Sequence, residues 1–192
     1  RKQTPLDYLK ARILDPIEAK VGDWKHDASG NPHIPNGAYL TARDWVKYGQ
    51  FLLQRGAWDG KQIVPAKLIA ACVEPSSANP GIGLSLWLNR PKGQGGQWFT
   101  PPESAPAGFI YPDGEPDIFA ALGAGRNRLY VLPSRRMVAV RFSQALDERS
   151  VSGGYEDAVF LSLLLTGKAT DAVPRRDAAK SKRGGRAGGS TQ

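Results

Sequence analysis

A chain of 192 residues can bury one sizeable core, and its 41% hydrophobic and 23% charged residues are ordinary for a globular domain. No apolar run approaches the roughly 18 residues of a membrane span, and the single cysteine, Cys72, excludes an internal disulfide. The net charge of +8 is uneven: the tail after Gly167 holds Lys168, Arg175, Arg176, Lys180, Lys182, Arg183 and Arg186 against Asp171 and Asp177, so +5 lies there.

The chain opens at Arg1 with neither Met nor a signal peptide, as a mature product, an excised piece or a truncated one would. Thr4-Pro5-Leu6-Asp7 predicts a helix start, with Thr4 as N-cap, Pro5 at the first helical position and Asp7 favourable to the dipole. Leu6, Leu9, Ile13 and Leu14 share an apolar face, and Pro16 ends the helix. Residues 24–32, WKHDASGNP, read as a turn-rich loop. His26 and His33 fit no helical zinc pair and have no cysteine nearby, so neither a metal nor another cofactor is expected.

Thr41 and Asp44 read as a capping box with Asp in place of Glu. Trp45, Tyr48, Phe51 and Leu52 then form the core-facing stripe of a helix that stops at Gly56. Residues 58–61 read as a turn. Residues 65–73 read as a short helix, with Cys72 a buried core thiol. Residues 81–89, GIGLSLWLN, read as a strand. Residues 90–116 are rich in Pro and Gly but hold Trp98, Phe99, Phe109, Ile110 and Tyr111. A long loop with that aromatic content reads as a substrate-facing flap.

The rest of the chain is organised around residues 117–142, DIFAALGAGRNRLYVLPSRRMVAVRF. The apolar runs 118–122, 129–132 and 137–142 predict three strands, and unbroken runs suit burial on both faces. The polar turn Pro133-Ser134-Arg135-Arg136 makes the last two a hairpin. Gly123-Ala124-Gly125 breaks the chain, and glycine there permits positive φ and close backbone approach. A dinucleotide reading of this turn fails, because Arg128 stands at the third glycine and a strand follows where a helix should open. Residues 143–154 read as a polar connection and 155–165 as a helix ending at Gly167. The tail 168–192 reads as disordered. It has no aromatic residue for stacking, so no nucleic-acid partner is expected.

Two stretches carry a resemblance. Residues 37–65, GAYLTARDWVKYGQFLLQRGAWDGKQIVP, and the run Ala121-Leu122-Gly123-Ala124-Gly125 followed by Asn127-Arg128-Leu129-Tyr130-Val131 and Pro133-Ser134 resemble the β-lactamase-related serine hydrolases. That superfamily includes class C β-lactamases, D-Ala-D-Ala peptidases and esterases. Asp15-Pro16-Ile17 and residues 81–89 match it more loosely. The likeness covers roughly residues 5–166. It implies an α+β fold, an antiparallel sheet flanked by helices as in β-lactamases and transpeptidases. Residues 1–167 would be the C-terminal half of that domain. It also favours a periplasmic or secreted protein.

The parent reaction implied is ester or amide hydrolysis through an acyl-serine. It needs Ser-x-x-Lys, which places both side chains on one helix face, and Tyr-x-Asn. Neither occurs in this sequence. The resemblance therefore implies no catalytic side chain here, with the nucleophile Ser and its Lys upstream. The family's third motif falls on Ala121-Leu122-Gly123, without its Lys or His, which leans toward an esterase or amidase. The backbone N–H of Ala124 would then contribute to an oxyanion hole, Gly123 would let substrate lie beside the strand, and Trp87 would face substrate or pack inward. The partner of the complete enzyme would be a small ester, amide or peptide-like substrate. A sheet lacking the upstream strands would leave an edge open to association. The alternative is a non-catalytic module binding a peptidoglycan-like or other ligand, or an inactive relic.

Overall fold

The computed structural model describes residues 3–34, 36–90, 110–143 and 155–169. Most of the expected flap (91–109), most of the polar connection (144–154) and the tail from 170 lie outside them. Within the described residues, helices pack on antiparallel sheets.

Thr4 caps α1 (Pro5–Leu9) as expected, and the box is reciprocal: Thr4 Oγ1 accepts from the Asp7 N–H at 3.1 Å, and the Thr4 N–H donates to Asp7 Oδ2 at 3.2 Å. The helix widens into a π-helical turn, Lys10–Leu14, before Pro16 ends it. Strand β1 (Val21–Trp24) pairs with β2 (Ala38–Leu40) around the loop that the turn residues predict. Thr41 caps α2 (Ala42–Leu53), but here the box is half formed. Asp44 Oδ1 accepts from the Lys20 N–H at 3.1 Å, which ties the helix start to the preceding connection. Phe51 and Leu52 are buried as expected, whereas Trp45 and Tyr48 are half-buried and stacked at 5.1 Å.

The turn at 58–61 closes a small hairpin, β3 (Ala57–Trp58) with β4 (Lys61–Gln62). Asp59 and Gly60 both take positive φ, the primed turn that an Asp-Gly pair favours. Cys72, at the end of α3 (Ala66–Cys72), is half-buried rather than enclosed, and its thiol bonds to the Leu68 carbonyl. The strand expected over 81–89 shrinks to β5 (Trp87–Leu88). The backbone before it turns toward α3 instead: the Leu84 N–H donates to the Cys72 carbonyl at 2.9 Å. Gly83 lies so close that a Cβ there would stand 2.2 Å from the same oxygen.

The main sheet has four strands in the order β5, β6 (Phe119–Leu122), β7 (Arg128–Leu132) and β8 (Met137–Arg141), all antiparallel. The three strands of the central stretch lie within one residue of expectation. β7 is buried along its whole length, as a continuous apolar run predicts. Phe119 and Val131 pack with Phe51 and Leu52 of α2 on one face. Ala120, Tyr130 and Leu132 pack with Ala158 and Leu161 of α4 (Asp157–Thr166) on the other. Alternation along the strands thus makes three layers, helix on sheet on helix. α2 comes close because of Gly49, where a Cβ would sit 2.5 Å from Val138 Cγ1 and 2.6 Å from Leu129 Cδ1. The described end of the long loop belongs to the core: Ile110 and Tyr111 are buried, and the buried Asn89 side chain bonds to both backbone groups of Tyr111.

Candidate functional site

The five residues 123–127 join β6 to β7 and hold the positions singled out in the sequence. On its far side β6 meets β5 only at Phe119 and Ala120, so Ala121 and Leu122 have no strand partner there among the described residues. Gly123 is exposed, and its N–H donates to the Asn127 carbonyl at 2.8 Å. Ala124 opens a 3-10 turn, Ala124–Arg126. Of the two glycines expected to need their freedom, Gly125 uses it, with φ 64°, and Arg126 follows at 59°. Gly123 does not, since a Cβ there would make ordinary contacts of 3.5 and 3.6 Å with Asn127.

Beneath the turn lies a cluster that local sequence patterns missed. Arg128 is 2% exposed. Its Nε donates to Asp157 Oδ1 at 2.8 Å, and one terminal nitrogen donates to the Gly123 carbonyl at 2.9 Å and the Asn127 carbonyl at 3.1 Å. The Tyr130 hydroxyl also donates to Asp157 Oδ1 and meets the Tyr155 hydroxyl at 2.6 Å. Arg126 donates to the Tyr155 carbonyl at 2.6 Å, and Arg141 lies 4.0 Å over the Tyr155 ring. Arg128 and Tyr130, two apart on β7, share the face toward α4. That pairing of polar groups on one face of a buried strand was the available signal.

Burial of the Tyr130 hydroxyl, followed by the neighbouring Asp157 charge, pushes its pKa far upward. Burial pushes Tyr155 up to about 12, and the Asp157 charge adds to this against the lowering effects of Tyr130, Arg128 and Arg141. Folding thus favours the neutral phenols. Their contribution to stability is complete below pH ~10, the usual tyrosine value, and is lost as pH rises through the folded values. Alkaline titration followed at 295 nm and by circular dichroism should show these two phenolates forming only well above pH ~10, with Tyr155 ionising before Tyr130. Ionisation of every tyrosine near pH 10 with the fold intact would contradict the burial.

Trp87 on β5 pairs with Ala120 and is half-buried, packed against the α4-face core. It lies three residues along β6 from Gly123, about 10 Å. A cavity of about 330 Å³ opens at the other end of β6, between Leu52, Ile69, Leu88 and Phe119, away from the Gly123 turn. The His33 ring bonds to Asn36, and His26 lies in a backbone bridge with Pro32. Among the described residues no three His, Cys, Asp or Glu side chains gather as a metal site, and no helix is long and apolar enough to cross a membrane.

No family model matches the chain. An uncharacterized protein of Alkalihalophilus pseudofirmus is 30% identical over 141 residues, which span 69% of this chain and 38% of that protein. In structure, the chain is similar to a candidate 6-aminohexanoate-dimer hydrolase of Bacillus anthracis, with a TM-score of 0.51 and 21% identity over 76% of this chain and 34% of that one. A candidate beta-lactamase of Bacteroides dorei is more distant, with a TM-score of 0.47 and 13% identity over 82% of this chain and 49% of that one. The chain thus spans well under half of the first two proteins.

Proposed function

We propose, from the part of the β-lactamase-related hydrolase fold that this chain carries, that it is the C-terminal portion of a serine hydrolase acting on ester or amide bonds. In this reading residues 1–167 complete the domain and 168–192 are an appended basic tail. The nucleophile Ser, its Lys and the Tyr-x-Asn motif belong to sequence upstream of Arg1. This chain supplies the wall of the cleft. The side of β6 at Ala121 and Leu122 that has no strand partner among the described residues would take substrate beside the strand, next to the Gly123 turn. The Ala124 N–H donates to the oxyanion that forms when serine attacks the carbonyl. A donor held in place before the reaction stabilises that charge without reorganisation. Trp87 lines the same wall further along. The neighbour named for a 6-aminohexanoate dimer suits an amide substrate of this kind.

The observation that carries this reading is the incomplete sheet. Among the described residues β8 is an edge with no partner, and Leu163 and Leu164 on α4 are exposed. An open edge and bare leucines suit a layer completed by more chain. The test is the coding sequence upstream of Arg1. An in-frame Ser-x-x-Lys followed by Tyr-x-Asn supports the reading. A start codon at or just before Arg1 overturns it in favour of a non-catalytic ligand-binding module, which the missing motifs would then describe.

A further inference from the structure

We infer that Arg128 is the positioning residue of the proposed oxyanion hole, holding the Gly123–Ala124 peptide so that its N–H faces outward. The inference rests on the hydrolase reading and adds a residue to it.

A trans peptide is planar, and its C=O and N–H point in opposite directions. No cis peptide bond occurs among the described residues. Gly123 contributes the carbonyl of this peptide and Ala124 the N–H. The carbonyl accepts from Arg128, whose side chain is buried under the turn. The Ala124 N–H of the same plane is therefore directed away from the guanidinium. A flip of this one peptide would turn the carbonyl outward and put an acceptor where the oxyanion needs a donor.

Arg128 is built to resist that flip. Its terminal nitrogen draws the carbonyls of Gly123 and Asn127, the first and last residues of the turn, onto one donor group. Asp157 of α4 grips Nε and fixes the plane of the guanidinium, and Asp157 is itself held by Tyr130. Lysine could keep the charge against Asp157, but a point-like ammonium lacks the planar fork that spans Nε and the terminal nitrogen. Arg141 and Arg126 brace the turn from the side, Arg141 donating to the Arg126 carbonyl at 2.8 Å.

The test uses the complete protein, of which this chain is the proposed C-terminal part, with p-nitrophenyl butyrate as the probe. Two variants are compared with wild type: Arg128→Lys, which retains a cation beside Asp157, and the pair Arg128→Met with Asp157→Leu, which removes both charges together. Both should lower kcat by about 10–100-fold, since losing one oxyanion donor outright costs at least about a hundredfold. KM should stay within about threefold. Amide hydrogen exchange at 123–127 should speed up in both, while exchange in α2 stays as in wild type. Unchanged kcat in either folded variant overturns the positioning role. So does a loss confined to melting temperature, with the folded fraction fully active. If wild type neither turns over the ester nor acylates, the hydrolase reading falls first and this inference with it.

Discussion

Asp157→Ala is expected to cost about 3–5 kcal/mol of folding stability, because it leaves the guanidinium of Arg128 buried without its counter-ion. In a domain of this size that corresponds to a drop in melting temperature of roughly 6–20 °C. It also removes one of the two partners of the Tyr130 hydroxyl, which keeps the Tyr155 hydroxyl. Removing both charges, as Arg128→Met with Asp157→Leu, should cost clearly less than Asp157→Ala alone. A buried pair is dear to break and close to neutral to replace with well-packed apolar groups. Urea denaturation of the three proteins checks this. A double variant that loses as much as Asp157→Ala, or more, would show that Arg128 and Asp157 are not partners in solution.

Phe51→Ala should cost a similar amount, about 3–5 kcal/mol, for a different reason. Phe51 is 1% exposed and sits where α2 lies on the sheet with Phe119 and Val131. Gly49 lets the helix so near that the ring is enclosed. Tight surroundings collapse poorly, so most of the ring's volume remains as a cavity. Phe51→Leu, which keeps much of that volume, should lose less. A cost under about 1 kcal/mol for Phe51→Ala would mean that α2 does not press on β7 and β8 as described.

The elements of the central sheet were legible because each is a short apolar run between turn residues. Ile118 to Leu122, Leu129 to Leu132 and Met137 to Phe142 needed no long-range information. The caps at Thr4 and Thr41 were legible for the same reason, since they are written in residues three apart. What was hidden depends on partners far along the chain. Asp157 reads locally as an acid suited to a helix start, and it does lie in the first turn of α4. Its side chain instead meets Arg128, 29 residues away. Arg128 itself reads as a polar residue closing a turn, because most arginines are solvated. Residues 81–86 misled in the opposite direction. They read as part of a strand, yet the Leu84 N–H goes to the Cys72 carbonyl at the end of α3 and the Ile82 N–H to the Asn79 carbonyl of the preceding loop. At the candidate site, the sequence picked out Gly123 and Ala124 through resemblance, while the arginine under them is signalled only by its place with Tyr130 on one face of a buried strand.

The most direct test is covalent. The complete protein, incubated with a fluorophosphonate and digested, should carry one adduct, on a serine upstream of Arg1 that is followed by lysine at the third position. An adduct on a serine within residues 1–192, or none on folded protein, would contradict the account that this chain walls the cleft of a serine hydrolase whose nucleophile lies elsewhere.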